Sequence, residues 1–292
     1  MTRIHKGDFR YYDLREQRKS TDIQILFPGW RARDERVIIF SPHDDDAVIG
    51  PGYGLLAALA NAGEVYVCIF CNGQGGYSRL EDRDTIVERR RRETLAAYRL
   101  LGLDENHIIH FGWPDLSVNA HLGWLMPWGG QGTTGKVVPF LRQVGATRLV
   151  LPNGYHEHFD HESVYRIGIF DGPIVGDAIL AEWGAAEPIR SYHQYAVWGD
   201  LSPEDALLAG RSPQLRATHA VLAAPEVERQ IQQALSAFAS QSQVIEGLVA
   251  ARQSRRHGDC YLELYQTFNP RRLLDYAPYH SLIDSIDQGH GN

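Results

Sequence analysis

Cysteine is scarce in this chain, with three residues among 292, an odd number without framework spacing. That excludes a disulfide-stapled scaffold and fits a reducing compartment. Long apolar runs are missing as well. None approaches the roughly 20 residues that cross a bilayer, and the start, Met1–Lys6, lacks the continuous apolar stretch of a secretion signal. The expectation is a soluble, cytoplasmic protein without membrane insertion. Positive charge is not in excess. Lys and Arg total 29 against 36 Asp and Glu, a formal charge of −7 that repels a phosphate backbone and argues against a nucleic-acid partner. The one basic cluster, Arg89–Arg92, falls in a helical pattern and reads mostly as a solvated face. Repeats and low-complexity stretches are lacking. What is present is an ordinary globular composition, 43% hydrophobic and 22% charged, with enough chain for one large core.

Strand and helix patterns alternate from residue 36 onward. Short β-branched or apolar runs at 36–41, 64–71, 107–111 and 147–151 read as strands. Amphipathic or apolar stretches at about 50–62, 85–101 and 134–144, and from about 161, read as helices. This alternation predicts an α/β fold, a Rossmann-like doubly wound, mostly parallel sheet with helices on both faces. Residues 191–198 and 260–268 resemble further strands. Val227, Ile231, Leu235, Phe238, Ile245 and Leu248 mark one face of a single long helix. We divide the chain into an N-terminal extension (1–35), a Rossmann-like core (36–200) and a C-terminal helix and strand (201–292) completing the same domain. The tail leaves room for an oligomerisation element and hence a homo-oligomer. Cys68 and Cys71 form a Cys-x-x-Cys, but inside an apolar strand, where core packing is the expected role.

Two acid-and-histidine clusters each follow a predicted strand. The first is Pro42-His43-Asp44-Asp45-Asp46, after strand one; the second is His156-Glu157-His158-Phe159-Asp160-His161, after strand four. Rossmann-type order sets strands one and four side by side at the switch point, where ligands bind outside the carboxyl ends. Adjacent carboxylates repel one another unless something compensates them. They could simply cap a helix N-terminus; the second cluster at a neighbouring strand end favours a divalent cation. His43, Asp46 and His161 supply two nitrogens and one carboxylate, the three protein ligands of a catalytic zinc site. The same set also suits Fe2+. Asp45 is left free to take a proton from water, and His158 is placed to donate one. His156 is expected at the surface or beside the ligands. Asn72–Gly76 is glycine-rich but lacks the dinucleotide fingerprint.

These motifs resemble those of the PIG-L/LmbE-like N-deacetylases, which include N-acetylglucosaminyl-phosphatidylinositol deacetylase, the mycothiol and bacillithiol deacetylases and diacetylchitobiose deacetylase. Pro42–Ala47 is similar to the family's Pro-His-Pro-Asp-Asp-Glu/Ala, and His158–His161 to its His-Pro-Asp-His. Arg90 with Glu93, on a helix ending in Leu101-Gly102, and Asp115 after the third strand look like two further family elements. The resemblance covers roughly residues 35–200. It implies zinc on His43, Asp46 and His161, Asp45 as general base, and His158 as acid or oxyanion partner. It also implies that Arg90 and Asp115 contact the hydroxyls of a small amino-sugar substrate, with Asp160 and Asp44 just outside the ligands. Asp44 and Phe159 replace family prolines; Asp44 itself is expected to face solvent. Glu263 is similar to a late family glutamate, although a half-exposed strand position explains it equally well. The activity implied is removal of an N-acetyl group from an N-acetylglucosamine-type amino sugar or conjugate. Hydrolysis of another N-acyl amide, such as an antibiotic or thiol conjugate, and a non-catalytic sugar- or nucleotide-binding Rossmann module are the competing readings. Tyr77, Trp113, Trp124 and Trp128 are candidates to stack on a sugar ring.

Overall fold

Apolar residues on both faces of a strand require cover on both faces, and the chain supplies it. The computed structural model describes residues 4–208 and 214–289; residues 1–3, 209–213 and 290–292 of the two expected terminal segments lie outside the described residues. In chain order the elements are β1 (Phe9–Asp13), β2 (Arg18–Ser20), β3 (Arg36–Ser41), α1 (Asp46–Ile49), α2 (Gly52–Ala60), β4 (Glu64–Cys71) and α3 (Ile86–Leu100). There follow β5 (Ile108–Trp113), α4 (Thr133–Val144), β6 (Arg148–Pro152), α5 (Phe159–Ile174), β7 (Ser191–Tyr195) and α6 (Pro203–Leu208). The remainder holds β8 (His219–Ala223), α7 (Pro225–Leu235), α8 (Ser242–Ala251), β9 (Arg256–His257), β10 (Cys260–Phe268) and α9 (Ala277–Asp287).

All the strands join one sheet of order β2-β1-β8-β10-β7-β6-β3-β4-β5, with β9 paired to β10. The stretch β7-β6-β3-β4-β5 is parallel, and the rest is an antiparallel wing drawn from both ends of the described chain. β3 and β6 lie side by side, with Val37 opposite Arg148 and Ile39 opposite Val150. Strand order reverses between them, so their carboxyl ends form the switch point.

Side chains alternate across the sheet with the two-residue period of a strand. Val37 and Ile39 of β3, with Val65, Val67 and Ile69 of β4, pack against α1, α2, α3 and α7. Ile38, Phe40, Cys68 and Phe70 pack with α4 and α5 on the other face. Cys68 and Cys71 are buried members of this second core, where burial pushes the Cys71 thiol up to about 12 and keeps it neutral.

Three features of the wing depart from expectation. The helix expected over 227–248 is two helices, because Phe238 turns into the core and Glu93 takes both the N–H and hydroxyl of Ser240 (2.9 and 2.6 Å). Val227, Ile231, Leu235, Phe238 and Ile245 are nevertheless all buried, as their spacing demands. β8 was not expected at all; its five residues are buried between β1 and β10. α9 buries none of its residues. No helix among the described residues is long and apolar enough to cross a membrane.

Candidate metal centre

The loop leaving β3 is wound tightly by its own polar groups. Ser41 donates its hydroxyl to the carbonyl of His43 (2.5 Å) and accepts the Ala47 N–H (3.0 Å). Asp46 accepts the N–H of His43 on Oδ2 (2.8 Å), and the same oxygen lies 3.2 Å from His43 Nδ1. Asp46 opens the single-turn helix α1, with Asp45 at its N-cap.

The second cluster arrives from β6. His158 caps α5, its Nδ1 accepting the Asp160 N–H at 3.1 Å, which leaves the proton of the neutral ring on Nε2. His161, one turn in, is fully buried. Its Nδ1 lies 2.8 Å from Glu157 Oε2, and its Nε2 stands 3.1 Å from Asp46 Oδ2 without hydrogen-bond geometry. The His43 ring centroid lies 4.9 Å from that of His158 and 5.6 Å from that of His161. Two stretches more than 100 residues apart in sequence thus meet at the switch point.

Glu157 had no role in the sequence reading. Its Oε1 accepts the N–H groups of Val197, Trp198 and Gly199 (2.8, 3.1 and 2.8 Å), so one carboxylate orients His161 and folds the loop after β7. The Trp198 ring then stacks on the His161 imidazole at 5.9 Å and 5°. Glu157 precedes the His158 cap of α5, so no helical periodicity links it to His161; the only signal available was its place inside the second acid-and-histidine cluster.

Asp44 is a correction: it is buried, not solvated, at 3% exposure. The reason is Arg90, whose Nε donates to Asp44 at 2.9 Å while Thr94 Oγ1 donates to it at 3.1 Å. Arg90 Nη2 also lies 3.8 Å from Asp45 Oδ1. Arg90 is therefore committed to carboxylates of the chain itself. It threads under the glycine-rich loop; a Cβ at Gly73 (φ +76°) would meet its Cδ at 2.9 Å. Asp115 holds that loop from the other side, accepting the N–H groups of Gly73 and Gly75 (2.8 and 2.7 Å). Asp160, fully buried, accepts the N–H of Leu116 (2.7 Å) and stands 3.4 Å from His43 Nε2.

The other candidates lie elsewhere. His156 is exposed, edge-on to Tyr155. Trp113 is buried beneath Lys136, whereas Tyr77, Trp124 and Trp128 are exposed. Glu263, expected half-exposed, is buried, because it accepts the Tyr53 and Gly54 N–H groups (3.0 and 2.9 Å) at the start of α2.

Charge is strongly polarised here. Desolvation alone would lower the His43 imidazole, but hydrogen bonds to Asp160 and Asp46 overcome it and hold its pKa well above the usual value. Against the same desolvation, Asp46 and Glu157 carry His161 up to about 9. Burial would raise Asp46, yet His161 and His43 drive it far below the carboxylate range. Asp45 goes the other way, raised because burial outweighs the attraction of Arg90. His158 is lowered by burial and by the neighbouring imidazoles.

Donor atoms of His43, Asp46 and His161 all lie within 4.8 Å of one another, and a second trio, His43, His158 and Asp160, meets the same limit. His161 Nε2 is buried, carries no hydrogen bond and has its partner nitrogen fixed by Glu157. An imidazole nitrogen held in that state, beside a carboxylate and a second imidazole, fits a divalent cation.

Residues 38–169 match the family model described as PIG-L, GlcNAc-PI de-N-acetylase. That stretch contains both clusters together with Arg90, Asp115 and Glu157. The protein is thus an N-deacetylase-type hydrolase built on a mixed α/β sheet whose site-bearing stretch is parallel. Residues 38–169 form a PIG-L-type domain. No curated protein matches the chain. Among solved structures it is similar to N,N'-diacetylchitobiose deacetylase from Pyrococcus horikoshii (15% identity, TM-score 0.64, 88% of this chain and 92% of that one). It is also similar to an A40926 pseudoaglycone deacetylase (18%, 0.57, 82% and 100%). A third is the 4-carboxy-2-hydroxymuconate hydratase of Pseudomonas putida (16%, 0.58, 83% and 100%). At such identities the fold is what is shared, and it serves more than one chemistry.

Proposed function

We propose that this protein hydrolyses the N-acetyl group of an N-acetylglucosamine-type amino sugar or conjugate, releasing acetate and the free amine. His43, Asp46 and His161 would hold the cation, with zinc the metal proposed. The observation that carries the reading is the buried Nε2 of His161, without a hydrogen bond and 3.1 Å from Asp46 Oδ2, beside His43. A divalent cation bound there supplies Lewis-acid polarisation of the acyl carbonyl and lowers the pKa of a water it binds.

The chain's own residues do the rest. Asp45 accepts the proton of the attacking water. Its burial, which disfavours the carboxylate, makes it a stronger base than an exposed aspartate. His158 presents Nε2–H toward the charge that grows on the acyl oxygen, because its Nδ1 is occupied by the Asp160 N–H. The proton held by Asp45 then passes to the departing amine, so one water is consumed and one acetate released. Arg90, held by Asp44, faces Asp45 directly and helps orient it. The free thiols of Cys68, Cys71 and Cys260 support a reducing, cytoplasmic setting.

The test is acetate release from a panel of N-acetylglucosaminyl compounds, with metal content measured in parallel. Activity lost with chelator and restored by zinc supports the proposal. Undiminished turnover in the chelated enzyme rejects it. Turnover confined to non-sugar N-acyl amides would move the protein to the other hydrolase reading with the same residues.

A further inference from the structure

The segment from 228 to 263 grips the backbone of the helix that carries Asp46. α1 is one turn long, and the chain bends at Pro51 straight into α2. The carbonyls of Ile49 and Gly50 therefore point into the core with no helical amide to receive. Arg252 Nη1 donates to the Ile49 carbonyl at 2.7 Å, and Arg255 donates to the same oxygen at 2.9 Å and to that of Gly50 at 3.5 Å. Glu228 holds Arg252 in a fork (2.9 and 2.6 Å) and also receives the Tyr53 hydroxyl. Glu263 takes the first amides of α2 and lies 3.5 Å from Arg255. Two cations thus meet the carbonyl end of α1 and one carboxylate the amide end of α2, the signs that helix dipoles favour.

Arg252 and Glu228 are each only 2% exposed, and Glu263 3%. A buried ion pair is weak as a source of stability, since apolar side chains of similar volume often serve as well. What apolar side chains cannot do is bind the Ile49 and Gly50 carbonyls. On the opposite side Tyr195 closes the gap; a Cβ at Gly50 would come within 2.2 Å of its ring. The α1–α2 corner is fixed from two directions. Ile49 is the last residue of the turn that Asp46 begins, so movement of its carbonyl is transmitted to the carboxylate that must meet both His43 and His161.

We infer that Arg252 and Arg255 are positioning residues for Asp46, setting cation affinity from outside the matched stretch 38–169. The inference rests on the metal reading above. Zinc affinity of the full chain is first measured by competition with a chromophoric chelator, in the parent and in His161→Ala. Loss of the parent's affinity in His161→Ala supports the metal reading; no such loss rejects that reading, and the clamp with it. The paired replacement Arg252→Met with Glu228→Met exchanges the ion pair for apolar volume. We expect it to fold with a lowered urea midpoint, since the Tyr53 hydroxyl and Ile49 carbonyl lose partners, and its zinc affinity to fall about 10-fold or more. Arg255→Met, at a part-exposed site, should lower zinc affinity in the same direction, and Arg255→Lys should recover part of it. The d–d spectrum of bound Co2+ should shift in the Met variants. Folded variants with parental zinc affinity and an unshifted spectrum overturn the inference and leave the metal reading standing.

Discussion

Glu157 Oε2 lies 2.8 Å from His161 Nδ1, while Oε1 of the same carboxylate takes three consecutive amides, those of residues 197–199. One side chain thus sets both the tautomer of a proposed ligand and the path of the loop whose tryptophan covers it.

A glutamine at 157 offers one acceptor oxygen for four donors. Glu157→Gln should lower zinc affinity by about 10- to 100-fold and stability by about 1–3 kcal/mol through the donor left unmet. Chelator competition and urea unfolding measure the two effects separately.

Asp45→Asn keeps the shape of the site and removes the proposed base. The kcat for acetate release should fall by about 10²- to 10⁴-fold with zinc content unchanged. Parental kcat in this variant would remove Asp45 from the mechanism.

Asp44 and Arg90 are both buried and joined at 2.9 Å. Asp44→Asn leaves a guanidinium with only the more distant Asp45, and we expect a loss of about 3 kcal/mol in urea unfolding. Adding Arg90→Met in that background should cost less than Arg90→Met alone, because the pair is already broken.

Asp171 offers a pH test away from the centre. Burial raises its pKa from 3.8 to about 6, against hydrogen bonds from Thr134 and Thr133. A folded pKa above the unfolded one makes ionisation destabilising: no penalty below about pH 4, a growing one between 4 and 6, and the full value above. Asp171→Asn should therefore stabilise the protein by about 3 kcal/mol at pH 8 and by about half that at pH 5. Urea midpoints at the two pH values read the difference, and a gain independent of pH would refute it.

The parallel half was legible because β3, β4 and β6 are near-continuous apolar runs separated by helical patterns of the expected length. The two motifs could be brought together from topology alone, since β3 and β6 are neighbours in that strand order. The wing was not legible. β8 is five residues long with alanines at two positions facing its neighbours, a pattern a helix would share. The break between α7 and α8 depends on Glu93, which reaches Ser240 across 147 positions of sequence. Asp44 was misjudged for the same reason. Its burial is decided by Arg90, 46 residues away, and nothing local announces that partner.

The wing has a consequence for how the chain acquires its shape. β10 lies inside the sheet, between β8 and β7, although it is the last strand in sequence among the described residues. While residues 260–268 are still emerging from the ribosome, β7 and β8 each present an open edge where β10 will insert. Assembly must then wait for distant segments to find one another, which slows it and exposes unpaired backbone to other nascent chains.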